Sequence, residues 1–426
     1  MAVVIESVAD ASVPPKSARF SPKPVAGFPA VENRLRESIP SSVSVALLGY
    51  GRIGQAVAAL ADAERLRLRR AGCEINCRAA LVRERGKLRT GPRLPLTADA
   101  SELFHADVDV VIEVIGGLEP ARTLVTRALH AGIPVVTANK TLVAHHGLEL
   151  SALAASRGTS FAYDAAVLAG VPFIGSLSRR PLIAAPRRIE GIINGTSHFI
   201  TNAIEDGASF DTALAEATAR GYAEPDSSAD VTGRDAAEKL TILLHLCGHR
   251  AARVADLTTT SIADLKPAHF ADAHRLGGTL KPVAIASLDP SAPGAWVGPA
   301  FVRSNHPFAR LSGVANALRL VGESGRDVLF AGPGAGPEAT AITILDDVLE
   351  TLTTGAPSHA GRTIATFKSG EPVLALDGPA PGRWFFATDD HAAELTVPTS
   401  WRAIQEVVDG RRARGHRAIA LPVLEA

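Results

Sequence analysis

Between Gly221 and Lys239 the chain reads GYAEPDSSADVTGRDAAEK, with five carboxylates: Glu224, Asp226, Asp230, Asp235 and Glu238. Lys239 closes the run. Asp235 and Lys239 stand four apart, so on a helix they share a face. Beyond Lys239 the sequence turns apolar, LTILLHLC, and a helix that is hydrophobic nearly all round is a buried one. A carboxylate and an ammonium are thereby set where a solvated loop meets a core, a setting in which titrating groups do chemistry. Spacing alone leaves two readings open: an ordinary ion pair at a helix start, or an acid–base pair at work.

A second lysine sits in a different kind of place. Ile133 to Thr137 reads as a strand that ends in Ala138, Asn139 and Lys140, and Asp107 to Ile115 as a buried strand that ends in Gly116 and Gly117. In open α/β sheets, ligands bind beyond the carboxyl ends of strands. Gly116, Gly117, Asn139 and Lys140 all occupy such ends, although a lysine there also reads as a surface residue. The run DAAVLAGVPFI, Asp164 to Ile174, places an acid beside small residues. It suits carbonyls facing a ligand or a hard cation, and equally a tight turn between domains. In NGTSHFI, Asn194 and Gly195 form a turn, and Thr196 and Ser197 stand where they cap a helix or bind a ligand. His245 and His249 are four apart but lack an HExxH pattern, so they do not read as a metal pair.

These groups need elements to hold them. Val43 to Leu48 is an apolar strand that enters GYGRIG and then a helical stretch, AVAALADAERLRLRR. Strand, glycine turn and helix in that order form a dinucleotide-binding unit. Gly49 makes the turn, Gly51 lets backbone approach a pyrophosphate, and Gly54 lets helix and strand pack closely. The phosphates then rest on the helix N-terminus, so the whole turn, Gly49, Tyr50, Gly51, Arg52, Ile53 and Gly54, is a candidate cofactor site. The next strand, Ile75 to Val82, ends at Arg83, Glu84 and Arg85. An acid there holds a ribose 2′-hydroxyl and an arginine accommodates a 2′-phosphate. Both types are present, so NAD and NADP stay open, with the arginines tipping toward NADP. GPGAGPEATAITILDDVLE, Gly332 to Glu350, is a second glycine-rich turn, with Gly334, that feeds a helix and is suited to approaching a phosphate or nicotinamide.

The predicted fold class is α/β. A Rossmann-type parallel-sheet domain over 41–165, completed by 332–350, is joined to an inserted α+β catalytic and dimerisation domain over 166–331. The strand-like runs between Leu280 and Phe330 suit a mixed sheet covered by helices on one face. Residues 1–40 read as a proline-rich extension and residues 351–426 as a small αβ appendage.

Composition sets the outer limits. A chain of 426 residues suits two or three domains. Its formal net charge of zero gives no basic excess for nucleic acid or a membrane surface. No apolar run approaches the ~18 residues of a membrane span. Three cysteines, Cys73, Cys77 and Cys247, make no disulfide framework, and a reducing, cytoplasmic setting fits.

Taken in order, VALLGYGRIG, DVVIEVIGGLEPA, VVTANKTLVA, YDAAVLAGVPFI, NGTSHFI, GYAEPDSSADVTGRDAAEKL, HPFARLSGVANAL and GPGAG resemble homoserine dehydrogenases over about residues 43 to 350. The resemblance implies reversible hydride transfer between NAD(P)H and aspartate 4-semialdehyde, giving homoserine on the route to threonine, methionine and isoleucine. It implies Lys239 and Lys140 as proton donors to the carbonyl oxygen. It places Glu224, Asp230, Asp235, Gly195, Thr196 and Tyr222 about the substrate, with acids facing its amino group. It implies a homodimer or higher homo-oligomer, and a monovalent cation, often sodium, held by Asp164, Val167, Ala169 and Val171. Two departures stand out: Asp164 replaces the family's usual glutamate, and His198 its usual asparagine. The tail resembles one βαβ half of an ACT domain, without a traceable full repeat. A different NAD(P)-dependent amino-acid dehydrogenase would explain GYGRIG but not the acidic cluster with Lys239. A catalytically silent nucleotide sensor would not need both lysines.

Overall fold

The computed structural model describes residues 41–70, 72–104, 107–171, 173–179, 186–322, 327–334, 336–354 and 378–425. The N-terminal extension and the segment 355–377 lie outside the described residues.

The first half alternates strands and helices: β1 (Val43–Leu48), α1 (Arg52–Ala63), β2 (Ile75–Leu81), β3 (Leu96–Thr97), β4 (Val110–Glu113), α2 (Ala121–His130), β5 (Val135–Thr137), α3 (Lys140–Ser156) and β6 (Phe161–Ala162). The strands form one parallel sheet in the order β3-β2-β1-β4-β5-β6, the dinucleotide-binding order. β1 is buried along its whole length, as a central strand covered on both faces must be. Its alternate side chains divide between two cores, with Ala46 and Leu48 on one side and Val43, Val45 and Leu47 on the other.

The second half comprises β7 (Pro186–Ile192), α4 (Gly195–Glu205), α5 (Phe210–Ala219), α6 (Arg234–Leu246), β8 (Thr258–Thr259), α7 (Pro267–Arg275), β9 (Gly278–Ser287), β10 (Gly294–Arg303), β11 (Ala315–Gly322) and β12 (Asp327–Pro333). They build a mixed sheet ordered β12-β11-β7-β9-β10, with β8 against β10. α6 is the buried helix foreshadowed by its apolar run, and Leu240, Ile242, Leu243, Leu244 and Leu246 all sit in the main core. From β12 the chain enters α8 (Pro337–Thr354), whose Ala341, Ile344, Leu345 and Val348 share a core with Val43, Val45 and Val57 of the first half.

The C-terminal segment adds β13 (Trp384–Thr388), β14 (Glu394–Leu395), α9 (Trp401–Ala413) and β15 (Ala418–Leu424). β15 pairs in parallel with β10, Phe301 opposite Val423 and Val302 opposite Leu424, so these strands extend the second sheet. Among the described residues, no helix is long and apolar enough to cross a membrane.

Candidate active site

Two helix N-termini, one from each half, meet at the seam. α3 begins directly beyond β5, and Asn139 caps it by accepting the Leu142 N–H at 3.1 Å. α6 begins at Arg234 with Asp235 in its first turn, where a carboxylate is favoured by the helix dipole. Lys140 Nζ lies 2.9 Å from Asp235 Oδ1 and Lys239 Nζ 2.9 Å from Asp235 Oδ2. One carboxylate therefore holds both lysines. Lys239 also donates to the Ile193 carbonyl at 2.7 Å, just past β7.

Asn194 ties the acids together. Its Nδ2 donates to Asp230 Oδ1 at 2.7 Å and to Asp235 Oδ2 at 2.8 Å, while its Oδ1 caps α4 through Ser197 N–H at 2.7 Å. Thr141 donates to Glu238 Oε2 at 2.9 Å, a second link between α3 and α6.

Burial pushes the Asp235 carboxyl up, but the ammonium groups of Lys239 and Lys140 outweigh it and hold the acid well below the usual carboxylate range. Asp235 in turn raises Lys140 above the ordinary lysine value, against the opposing effect of burial. Asp230 is shifted the other way. Burial raises it, the nearby Asp235 charge adds to the rise, and the Asn194 hydrogen bond and both lysines only partly compensate. Neighbouring acids are thus set apart: Asp235 is fixed as an anion, and Asp230 is an anion that takes a proton more readily.

The cofactor side is built from glycine and unspent amides. Gly49 adopts φ of +110°, and a Cβ there would stand 2.8 Å from the Val114 carbonyl oxygen. A Cβ on Gly54 would stand 2.4 Å from the Gly49 oxygen, whereas one on Gly51 would meet nothing within 4 Å. Gly49 and Gly54 permit the turn and its close packing, and Gly51 faces open space. α1 has neither a side-chain cap nor an acid in its first turn. Its leading amides, including those of Arg52 and Ile53, remain available to an anion. These residues fit a dinucleotide pyrophosphate.

The side chain of Tyr50 has another task. It is buried, and its hydroxyl donates to the Pro92 carbonyl. Gln55 Oε1 accepts the Thr90 and Gly91 N–H groups, each at 2.8 Å, and Arg89 donates to the Tyr50 carbonyl at 3.2 Å. The loop after β2 is thereby docked on the glycine turn, with Arg83 exposed at the strand end.

At the ends of β4 and β5 the organising residue is Glu113, wholly buried. It accepts from Thr137 Oγ1 at 2.5 Å and from the N–H groups of Ile115 at 2.8 Å and Gly116 at 3.3 Å. Asn139 Nδ2 donates to the Gly117 carbonyl at 2.7 Å. Asn139 thus joins the Gly116–Gly117 turn to the helix that carries Lys140.

The remaining sequence candidates are placed as follows. Gly195 opens α4, and Thr196 Oγ1 donates to the Tyr222 carbonyl at 2.8 Å. Tyr222 is half-exposed with its ring 5.0 Å from that of Phe199, and Glu224 is exposed. Gly334 lies between β12 and α8, against Asn316.

The comparisons with known proteins agree along the chain. Residues 172–349 match the family model described as homoserine dehydrogenase, and residues 49–164 the model for the NAD-binding domain of that family. The homoserine dehydrogenase of Corynebacterium glutamicum is 38% identical over 319 residues, covering 72% of each chain. The chain belongs to the homoserine dehydrogenase family. The Mycobacterium tuberculosis homoserine dehydrogenase is 37% identical over 316 residues, 72% of this chain and 71% of that one. Among solved structures, the Thiobacillus denitrificans homoserine dehydrogenase superposes with a TM-score of 0.79 at 27% identity, covering 90% of this chain and 98% of that one. A hyperthermophilic archaeal homoserine dehydrogenase in complex with NADPH gives 0.61 at 25% identity, over 73% and 97%. As a member of this family, the chain is an NAD(P)-dependent oxidoreductase.

The Asp164 loop, where the resemblance implies a cation, is hydrogen-bonded to both halves. The Asp164 carboxylate takes the N–H groups of Ile174 at 3.1 Å and Gly175 at 2.8 Å, and its own N–H reaches Asp347 at 3.0 Å. The Ala169 carbonyl accepts the Thr343 hydroxyl, and the Val171 carbonyl the Phe173 N–H at 2.8 Å. The loop acts here as a hydrogen-bonded link between the halves. Sequence reading missed Glu113 and Thr141 as site supports. An acid closing the apolar run VVIE was the available sign for Glu113; Thr141 gave none.

Proposed function

We propose that the chain interconverts L-aspartate 4-semialdehyde and L-homoserine with NAD(P)H, and that the lysine pair bridged by Asp235 carries the proton. Bound reduced nicotinamide supplies the hydride to the aldehyde carbon. An ammonium has three N–H donors. Lys239 directs one to Ile193 and one to Asp235, which leaves the third for the substrate oxygen. Lys239 stabilises the alkoxide as charge develops and hands over its proton. Lys140 is the more exposed of the two, so it exchanges protons with solvent and keeps the pair charged. Asp230 faces the substrate ammonium, and Asn194 keeps it in line with Asp235.

NADP is the favoured cofactor: Arg83 is exposed just beyond β2, and the archaeal relative is in complex with NADPH. We read the protein as a cytoplasmic homodimer assembled through its second domain, as the family resemblance implies. A sodium ion at the Asp164 loop is not required by this reading. The observation that carries it is the single carboxylate holding Lys140 and Lys239 at 2.9 Å each.

The test follows reduced-nicotinamide absorbance with aspartate 4-semialdehyde and either cofactor. Oxidation faster with NADPH is expected, and none with either cofactor would sink the reading. Lys239→Ala should lower turnover by at least ~10²-fold while leaving the cofactor Kd within about twofold.

A further inference from the structure

Just beyond β2 the chain reads RERGKLRTGPR, Arg83 to Arg93, with five cations and one acid in a chain whose formal net charge is zero. Like charges so closely spaced repel one another, so this loop needs anchors. Arg89 supplies three. It donates from Nε to the Tyr50 carbonyl at 3.2 Å, from Nη1 to the Lys87 carbonyl at 2.8 Å and from Nη2 to the Glu84 carbonyl at 2.9 Å. One guanidinium thus ties the loop to the glycine turn and to itself. Gln55 works from α1. Its Oε1 accepts the Thr90 and Gly91 N–H groups, and its Nε2 donates to the Gly51 carbonyl at 3.2 Å. A Cβ on Gly91 would stand 2.8 Å from Cβ and Cγ of Gln55, so only glycine packs this closely. These anchors leave Arg83 and Lys87 exposed. Lys87 carries one carbonyl that Arg89 holds, and Arg83 adjoins Glu84, which carries another.

We propose that Gln55 and Arg89 are positioning residues for the adenosine 2′-phosphate of NADP: they hold the basic loop on the glycine turn, so that Arg83 and Lys87 receive the phosphate. The inference rests on the NADP reading above. The end of the second strand is where this fold reads the ribose 2′ position, and Arg83 stands there. Contacts between exposed, flexible charged groups are worth little when both must first be ordered. A loop already fixed by backbone hydrogen bonds spares that cost at binding. Arg89 gives its donors to carbonyls, so it acts through the loop and not on the phosphate. Because the loop is tied to the turn that fits the pyrophosphate, the two phosphate sites are held in one frame.

The test is calorimetric binding to the full chain, apart from turnover. Wild type and variants are titrated with 2′,5′-ADP and with 5′-AMP, which differ only in the 2′-phosphate. Wild type should prefer 2′,5′-ADP at least about tenfold. Gln55→Ala and Arg89→Lys should each bring that ratio within about threefold. Arg89→Lys keeps the charge but loses the planar fork. A ratio retained there would mean that Arg89 acts by its charge, and would overturn its positioning role. A ratio retained in Gln55→Ala, or parallel weakening of both ligands at an unchanged ratio, would overturn the proposal, since a merely structural role moves both alike. Arg83→Ala and Lys87→Ala should each lower the ratio at least about threefold; no change in either would remove them as the receiving groups. Should Gln55→Ala or Arg89→Lys fail to fold, Gly91→Ala, which pushes the loop off Gln55, is read by the same ratio. A wild-type preference that survives every loop variant refutes this inference alone; wild type with no preference refutes the NADP reading with it.

Discussion

Asp235 is where the charges of the site converge. Its position in the first turn of α6 and its burial between two ammonium groups make it an anion over the whole working pH range. Because Asp235 is the chief cause of the raised Lys140 value, Asp235→Asn should let Lys140 lose its proton at lower pH. The basic limb of the pH–rate profile should move down, and kcat/KM should fall at least ~10²-fold; an unmoved limb would remove Asp235 from that role. Asp230 has the opposite sign. Its raised value means that the folded state binds this proton more tightly than the unfolded chain does. The ionised group therefore opposes folding above the ordinary aspartate range, and that opposition is relieved as pH falls through the raised value. Asp230→Asn should accordingly raise Tm at neutral pH by about 1–3 °C while weakening homoserine binding roughly tenfold or more. In wild type, KM for homoserine should climb on the acid side above the usual aspartate pKa. The spacing of Asp235 and Lys239 was legible in the sequence because they are one helical turn apart. That Lys140 shares their site was implied only by the family resemblance, and the contact with Asn194 was not read at all, since no local pattern reports a contact across so many residues.

Elements explain why such distant residues meet. The parallel order of the first sheet brings β4 and β5 side by side, and Glu113 and Asn139 bind their two exit turns into one platform. The N-termini of α3 and α6 then face each other through Lys140–Asp235 and Thr141–Glu238. Much of this layout was visible beforehand: glycine turn after apolar strand, and a helix apolar nearly all round. The two-residue β3 was not, because so short a strand shows no periodicity. The stretch AVAALADAERLRLRR, Ala56 to Arg70, read as one helical run but falls in two helices, Arg52–Ala63 and Arg65–Arg70. The glycine turn yields a prediction of its own. Since a Cβ on Gly54 would stand 2.4 Å from the Gly49 carbonyl, Gly54→Ala must push α1 off the turn. It should cost about 1–3 kcal/mol in urea unfolding and weaken NADP⁺ binding at least about tenfold. Gly51→Ala meets no protein atom, so it should leave stability nearly unchanged and weaken only the dinucleotide.

On the scale of the whole molecule, the question is whether the C-terminal segment is detachable. Its composition differs from the rest of the chain, and a sequence that changes character reads as a separate unit. The structure places its described part within the second sheet, for reasons that pattern could not convey. β15 pairs with β10 through only two residues on each strand, Phe301–Val302 and Val423–Leu424. The larger contribution is packing. Phe385 stacks on Phe301 with ring centroids 5.7 Å apart, and Trp401 lies 5.1 Å from Trp296 and 5.4 Å from Trp384. Trp296, Trp384, Phe301 and Phe385 are all fully buried. The Gly378 carbonyl also accepts the Ala295 N–H at 2.7 Å, at the start of β10. β10 in turn pairs with β9 along ten residues, and α6 packs on that sheet, so damage at Phe301 reaches the helix that carries Asp235 and Lys239. Phe385→Ala should therefore destabilise the chain by about 3–5 kcal/mol, and kcat should fall as the folded fraction falls. Truncation after Thr354 should go further, giving protein that is insoluble or melts at least about 10 °C lower. A truncated chain with the parental Tm and turnover would show that this segment is an independent module, and that the stacked rings are a contact between two bodies rather than one core.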